Sequence, residues 1–368
     1  MMDTRVEKLA ELIVNYSSAV RKGDKVLIQG STLAEPLLKA LYARVLQAGG
    51  LPFVLSALPN TEELFYKYAS DEQLKHVPAP VKLMYETYDV RVVILAETNT
   101  RALSGVDPRK MVLNQQARTE LMKTFMRRAA AGELRWTLAP FPTNAMAQDA
   151  EMSLSDYEDF VYGACLPDLN DPVGYWRSFS TWQQHIIDWL KGKSQVHIIS
   201  PNTDLKLSIA GRTFINSDGH HNLPDGEIFT GPVEDSIEGH VSFTYPTIYG
   251  GREVTGVQLR FEKGKVVKAS AEKNQDFLLK TLDTDAGARY VGEFAIGTSK
   301  GITRFTREIL FDEKIDGSFH MALGASYPET GGKNESAIHW DMICDLRQGG
   351  EIRVDGELLY RDGKFVIS

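Results

Sequence analysis

Apolar positions recur at helical spacing from the start of the chain, with Val6, Leu9, Ala10, Ile13 and Val14 on one face. Lys22-Gly23-Asp24 then turns into Lys25-Val26-Leu27-Ile28-Gln29, an apolar run that predicts a strand. Gly30-Ser31-Thr32 ends it and offers a cap to a helix through Leu37, Leu38, Leu41, Val45 and Leu46, which Gly49-Gly50 closes before Pro52-Phe53-Val54-Leu55. Strand, helix and strand in that order imply a right-handed parallel crossover. Further strands are predicted at Val90 to Leu95 and Leu134 to Ala139, with helices around Leu64 to Tyr68 and from Leu113 to Ala131. A helical period returns between about Leu154 and Leu190, with Trp182, Ile186, Ile187 and Leu190 on one face.

After Gly192 the period shortens to two. Val196 to Ile199, Leu205 to Ile209, Val257 to Phe261 with the turn Lys263-Gly264-Lys265, and Glu351 to Ile367 with turns at Asp355-Gly356 and Asp362-Gly363 predict short strands and hairpins. The fold class is therefore α/β: an N-terminal doubly wound α/β domain over residues 1–192, followed by a β-rich α+β domain over 193–368 that carries the metal-binding chemistry.

Composition narrows the function classes. A chain of 368 residues with 43% apolar content can bury a sizeable core, and a net charge of -8 with scattered Lys and Arg argues against a nucleic-acid partner. Cys165 and Cys344 are too few for a disulfide framework, which fits a reducing, cytoplasmic setting. The charged start Met-Met-Asp-Thr-Arg has no signal-peptide core, and no run reaches the ~20 apolar residues of a membrane helix. Gly30 lacks the further glycines of a dinucleotide fingerprint. Gly192-Lys193-Ser194 has Ile187 where a phosphate loop needs glycine. The first half is scaffold or cleft wall.

Candidate chemistry lies in the second half, between Asn222 and Asp341. His339-Trp340-Asp341 places an imidazole and a carboxylate on one face of a strand. Alternation of that kind also describes a half-solvated strand. The context argues otherwise, because His320 and Glu293 each sit as one titratable group in an apolar stretch, Glu227 lies in the turn-rich run Pro224 to Pro232 next to Ile228 and Phe229, and a buried charge is costly unless it is paired or holds a cation. Two glutamates, an aspartate and two histidines therefore point to one shared cation site. His185 on a helix, His220 and His221 in a turn, and His76, His197 and His240 read as packing or surface residues, and Glu234, Asp235 and Glu238 as a solvated acidic face.

Four motifs in order carry a resemblance: Asn222-Leu223-Pro224-Asp225-Gly226-Glu227-Ile228-Phe229-Thr230, Gly292-Glu293-Phe294-Ala295-Ile296-Gly297, His320-Met321-Ala322-Leu323-Gly324 with Tyr327-Pro328, and Ser336-Ala337-Ile338-His339-Trp340-Asp341. Together they resemble the thermophilic metallo-aminopeptidases of family M29, the aminopeptidase T group. The resemblance implies a homodimer and a centre of two divalent metal ions held by Glu227, Glu293, His320, His339 and Asp341, with Glu293 and Tyr327 catalytic. Three carboxylates against four positive charges leave one to be balanced by a bound hydroxide, and mixed oxygen and nitrogen donors suit Zn, Co or Mn. The implied reaction removes the N-terminal residue of a peptide with a free N-terminus by attack of a bridging hydroxide, whose pKa the ions draw toward about 7. Tyr327 is placed to donate to the oxyanion, and the proton shuttle is Glu293 or Glu335. Two alternatives stay open: a mononuclear iron(II) ring-cleaving dioxygenase on the same scaffold, and a non-catalytic metal-stabilised dimer.

Overall fold

The structure, a computed structural model, describes residues 3–367; Met1, Met2 and Ser368, at the ends of the expected spans, lie outside the described residues. The chain divides into two compact units, one running to Trp176 with Gly219–Pro224 added, the other made of Arg177–Asp218 and the chain from Asp225 onward. Residue 193, where sequence alone draws a boundary, falls inside the second unit.

In chain order the first unit contains α1 (Thr4–Leu12), β1 (Lys25–Ser31), α2 (Glu35–Gln47), β2 (Leu51–Ala57), α3 (Thr61–Tyr68), α4 (Asp71–Lys75), α5 (Ala79–Thr87) and β3 (Val90–Leu95). It continues with α6 (Pro108–Ala117), α7 (Thr119–Ala130), β4 (Arg135–Pro140), α8 (Asn144–Asp149), α9 (Leu154–Cys165) and the first turn of α10 (Pro172–Leu190). The four strands are parallel in the order β2-β1-β3-β4, the reversal of a doubly wound sheet falling between β1 and β3. Val26, Leu27 and Ile28 are buried on both faces of the sheet, as parallel strands under helices require. Gly30 serves packing here. A Cβ there would come within 3.1 Å of Leu38 Cδ2 and 3.2 Å of Ile94 Cβ. Asn222 pairs in parallel with Leu138, so residues 219–224 lie alongside β4.

Two helical expectations need correction. The single helix from Leu113 to Ala131 is two, α6 and α7, broken at Arg118 with ψ near 1°. The apolar stripe changes there: α6 buries Asn114, which donates to Leu74 O, whereas α7 buries Leu121 and Phe125. The helical stretch from Leu154 to Leu190 is likewise interrupted, between α9 and α10 ahead of Pro172.

The second unit contains the rest of α10, then β5 (Gln195–Ser200), β6 (Thr203–Ser208), β7 (Ile215–Ser217), β8 (Glu227–Thr230), β9 (Glu238–Ser242), β10 (Thr247–Tyr249), β11 (Arg252–Val254), β12 (Gln258–Glu262), β13 (Lys265–Ser270) and α11 (Gln275–Leu282). β14 (Val291–Gly297), α12 (Ile309–Asp312), β15 (Ser318–Gly324), β16 (His339–Asp345), β17 (Glu351–Val354), β18 (Glu357–Arg361) and β19 (Lys364–Phe365) complete it. Eight strands form one antiparallel sheet in the order β13-β12-β9-β6-β5-β17-β18-β19, and five form a second in the order β16-β15-β14-β8-β7. Phe294, Ile296, Phe319, Met321, Trp340 and Met342 from the smaller sheet join Val196, Leu205, Leu259 and Ile352 from the larger in one core, which Ile186, Ile187 and Leu190 of α10 complete. Each such side chain contributes about 1.5–3 kcal/mol when fully buried. The N-terminal doubly wound part and the β-rich second part are as the sequence predicts. Among the described residues no helix is long and apolar enough to cross a membrane.

Candidate metal centre

Period-two alternation decides which side chains share a face of the five-stranded sheet. One face of β8, β14, β15 and β16 supplies the core residues above. The opposite face receives Glu227 and Phe229, Glu293 and Ala295, His320 and Ala322, and His339 and Asp341. Strand register then brings them together, since Glu227 pairs with Gly297, Ala295 with His320, Glu293 with Ala322, Ala322 with Asp341 and Gly324 with His339. Alanines between the polar positions leave room where larger side chains would fill it. Gly324 is required by the backbone: at φ 104°, a Cβ would stand 2.1 Å from Ile338 O.

All five residues expected as ligands converge. His320 Nε2 is 3.3 Å from Glu227 Oε2 and 3.5 Å from Glu293 Oε1; His339 Nε2 is 3.2 Å from Glu293 Oε2 and 3.5 Å from Asp341 Oδ1. Glu293 thus turns one oxygen to each imidazole. Three ligand groups emerge: Glu227, Glu293 and His320; Glu293, His339 and Asp341; and Glu313, His320 and Asp341. Glu313 and its neighbour Lys314 were not singled out from sequence, and both are drawn in. Lys314, with no exposed side-chain surface, lies 3.7 Å from Glu227 Oε1 and contacts Glu313 Oε1. Glu335 is exposed in the loop before β16 and belongs to none of the ligand groups.

Backbone carbonyls fix both imidazoles. His320 Nδ1 donates to Glu313 O at 2.8 Å and His339 Nδ1 to Ala325 O at 2.9 Å; a carbonyl only accepts, so each Nε2 faces the carboxylates. β16 is pinned between its two ligands: Trp340 Nε1 donates to Thr247 Oγ1 at 2.7 Å, and Thr247 Oγ1 donates to Asp341 O at 2.6 Å. On the far side, buried Gln183 of α10 donates to Glu227 O at 2.8 Å.

The centre is graded in exposure. His320 is 1% exposed, Glu293 5% and Glu227 7%, but Asp341 is 13% and His339 27%. Tyr327 stands at the open end, 38% exposed, its ring 5.2 Å from His339 and 5.5 Å from Phe229. Burial opposes protonation of His320, yet the Glu293 hydrogen bond and surrounding carboxylates lift it to about 10. His339 is likewise lifted, against burial, to about 12 by Asp341 and Glu293. Burial pushes the Glu227 carboxyl up, while the two imidazoles hold Glu293 below the usual range against the same effect. Lys314 is held charged, despite burial, by Glu227, Glu313 and Asp225.

The donor set fits divalent cations. Glu227 Oε2 is buried and accepts no hydrogen bond among the described residues, while aimed at His320. The carboxylates that raise His320 and His339 are the same negative charge that divalent cations would balance at this place.

Comparison with known proteins decides the class. Residues 2–365 match the thermophilic metalloprotease (M29) family. The chain belongs to that family. It is accordingly a metal-dependent peptidase, and the resemblance seen in the four motifs is confirmed. It is 28% identical to aminopeptidase T of Thermus thermophilus, over 97% of this chain and 95% of that one. The structure of wild-type AmpT from Thermus thermophilus superposes with a TM-score of 0.86 at 25% identity, covering 99% of both chains. A 2,5-dihydroxypyridine dioxygenase from Pseudomonas putida KT2440 shares the fold with a TM-score of 0.59 at 14% identity, covering 99% of this chain and 97% of that one.

Proposed function

We propose that this M29 peptidase is an aminopeptidase that removes the N-terminal residue of peptides at a centre of two divalent ions, Zn, Co or Mn. Glu227, Glu293 and His320 would hold one ion and Glu293, His339 and Asp341 the other. The observation that carries this reading is Glu293, which turns an oxygen to each imidazole at 3.5 and 3.2 Å and belongs to both groups. When bound, such ions supply Lewis-acid polarisation of the scissile carbonyl and a water acidified toward neutrality.

The chain's own residues supply the rest. The exposed end at His339 and Asp341 leaves room for the free α-amine of a peptide to reach the ion those residues would hold, which a blocked terminus could not do. The proton taken from the attacking water has to reach the departing amine, and Glu293 and Glu335 stay the two carboxylates proposed for that transfer. Tyr327, exposed beside His339, donates its hydroxyl to the oxyanion of the tetrahedral intermediate. Phe229 forms an apolar wall next to Tyr327. A lone iron for ring cleavage needs two imidazoles, one carboxylate and open positions. The burial of Glu227 and Glu293 against His320 favours the peptidase, as does the sequence likeness to aminopeptidase T. A homodimer and a cytoplasmic setting belong to the same proposal.

The test is chelator-stripped protein given free-amine and N-acetylated versions of one peptide, with Zn, Co, Mn or Fe added back singly. Cleavage of the free-amine peptide alone, with about two ions per chain, is the expected result. Equal cleavage of both peptides removes the exopeptidase assignment, and one iron per chain with oxygen uptake moves the protein to the oxygenase reading.

A further inference from the structure

Lys314 is a fully buried cation that the peptidase chemistry above does not use. It lies in the turn between α12 and β15, and backbone hydrogen bonds hold that turn: Lys314 N donates to Phe311 O at 3.0 Å, and Lys314 O accepts from Ser299 N at 3.0 Å. With a side-chain exposure of 0%, its ammonium has exchanged water for carboxylates. Burying an ammonium is costly unless its partners are close and charged, and here they are Glu227 and Glu313.

The arrangement divides Glu227 between two duties. Its Oε1 faces Lys314 at 3.7 Å, and its Oε2 faces His320 at 3.3 Å without a hydrogen bond. Glu313 is divided in the same way. It contacts Lys314 and also belongs to the ligand group with His320 and Asp341. The same two carboxylates thus serve a cation the chain always carries and positions a divalent ion can occupy.

We propose that the Lys314 ammonium is a permanent cation of the metal centre, competing with divalent ions for Glu227 and Glu313 and so setting how tightly they are held. This rests on the two-ion reading above. The four carboxylates of the ligand groups carry four negative charges and Lys314 returns one, leaving the donor set at a net of three. Removing the ammonium strengthens attraction for divalent ions and frees Glu313 to act as a ligand. A residue important only for packing has the opposite effect, because its loss loosens the ligands and weakens binding.

The experiment is a double-substitution cycle on the whole chain loaded with cobalt(II). Each protein is competed against a chelator, with bound cobalt followed by its visible absorption and counted by elemental analysis. Lys314→Met is expected to lower the cobalt Kd by about tenfold or more, as removal of a positive charge a few ångströms from a dication should. Glu313→Gln, which leaves Lys314 with the charges of Glu227 and Asp225, is expected to raise it. Adding Lys314→Met to Glu313→Gln should again lower it by about tenfold. That last comparison decides the matter if Lys314→Met alone does not fold, since the double variant buries no unpaired carboxylate at position 313. An unchanged or weaker affinity on loss of the lysine in both backgrounds overturns the proposal while leaving the metal reading intact. Failure of the wild-type chain to bind cobalt overturns both.

Discussion

At the scale of single residues, Tyr327 and Asp312 make the sharpest contrast. Tyr327 has an exposed edge against His339, and its proposed donation matters only once negative charge develops on the substrate oxygen. Tyr327→Phe is therefore expected to lower kcat by about 10²-fold, with KM, bound metal and Tm nearly unchanged. A fall in metal content would instead make it a support for the ligands. Asp312 is 2% exposed, and burial lifts its carboxyl to about 8 although it accepts hydrogen bonds from Thr306 N at 2.7 Å and Thr306 Oγ1 at 2.9 Å. Its folded pKa lies above the ordinary 3.8, so the folded chain keeps a proton that the unfolded chain gives up. Its favourable contribution is complete below the ordinary value and is lost as pH rises through the folded one. Asp312→Asn keeps an acceptor oxygen without the proton. In melts of chelated protein, the variant should lose less Tm than wild type between about pH 5 and 8. Parallel curves for the two proteins would refute this account.

At the scale of elements, β14 and β15 carry the centre. Both are buried along their whole length, and the small residues Ala295 and Ala322 separate the charged positions. Ala322 pairs with Glu293 on one side and Asp341 on the other. Ala322→Leu should cost about 1–3 kcal/mol of stability by overpacking. It should also leave little metal bound after dialysis, measured per chain by elemental analysis; full retention would show that the ions sit elsewhere. The same elements explain what could be read in advance. His339 and Asp341 are two residues apart on one strand, so their common face follows from the backbone period. Glu293 and His320 stood out because each is one titratable group in an apolar run, a pattern that survives without knowledge of strand order, and Glu227 because its motif follows the turn at Pro224-Asp225-Gly226. Glu313 and Lys314 escaped notice because adjacent opposite charges in a turn look like ordinary surface, and only their tertiary setting buries them. Glu335 lies near His339 in sequence, but in a loop outside the sheet face, a placement that sequence proximity alone does not reveal. The helices missed between β2 and β3, α4 and α5, are short enough that no apolar stripe develops; α5 buries no residue at all.

At the scale of the whole molecule, both units are assembled from discontinuous stretches of chain. The second begins within α10, whose Ile186, Ile187 and Leu190 fill its core and whose Gln183 holds the backbone of Glu227. Residues 219–224 interrupt it to run beside β4, with Leu138 N donating to His221 O at 2.7 Å and Leu223 N to Leu138 O at 2.9 Å. A fragment of residues 193–368 would contain every proposed ligand and still lack that helix. Expressed alone, it should show no cooperative melt and no tight cobalt binding; a folded, metal-binding fragment would restore the simpler division at residue 193. A cut at residue 193 therefore cannot release a working catalytic half. A protease that nicks either loop flanking 219–224 would sever covalent continuity while severing no unit from its own core, so a clipped chain that stays associated and active is the natural signature of this threading.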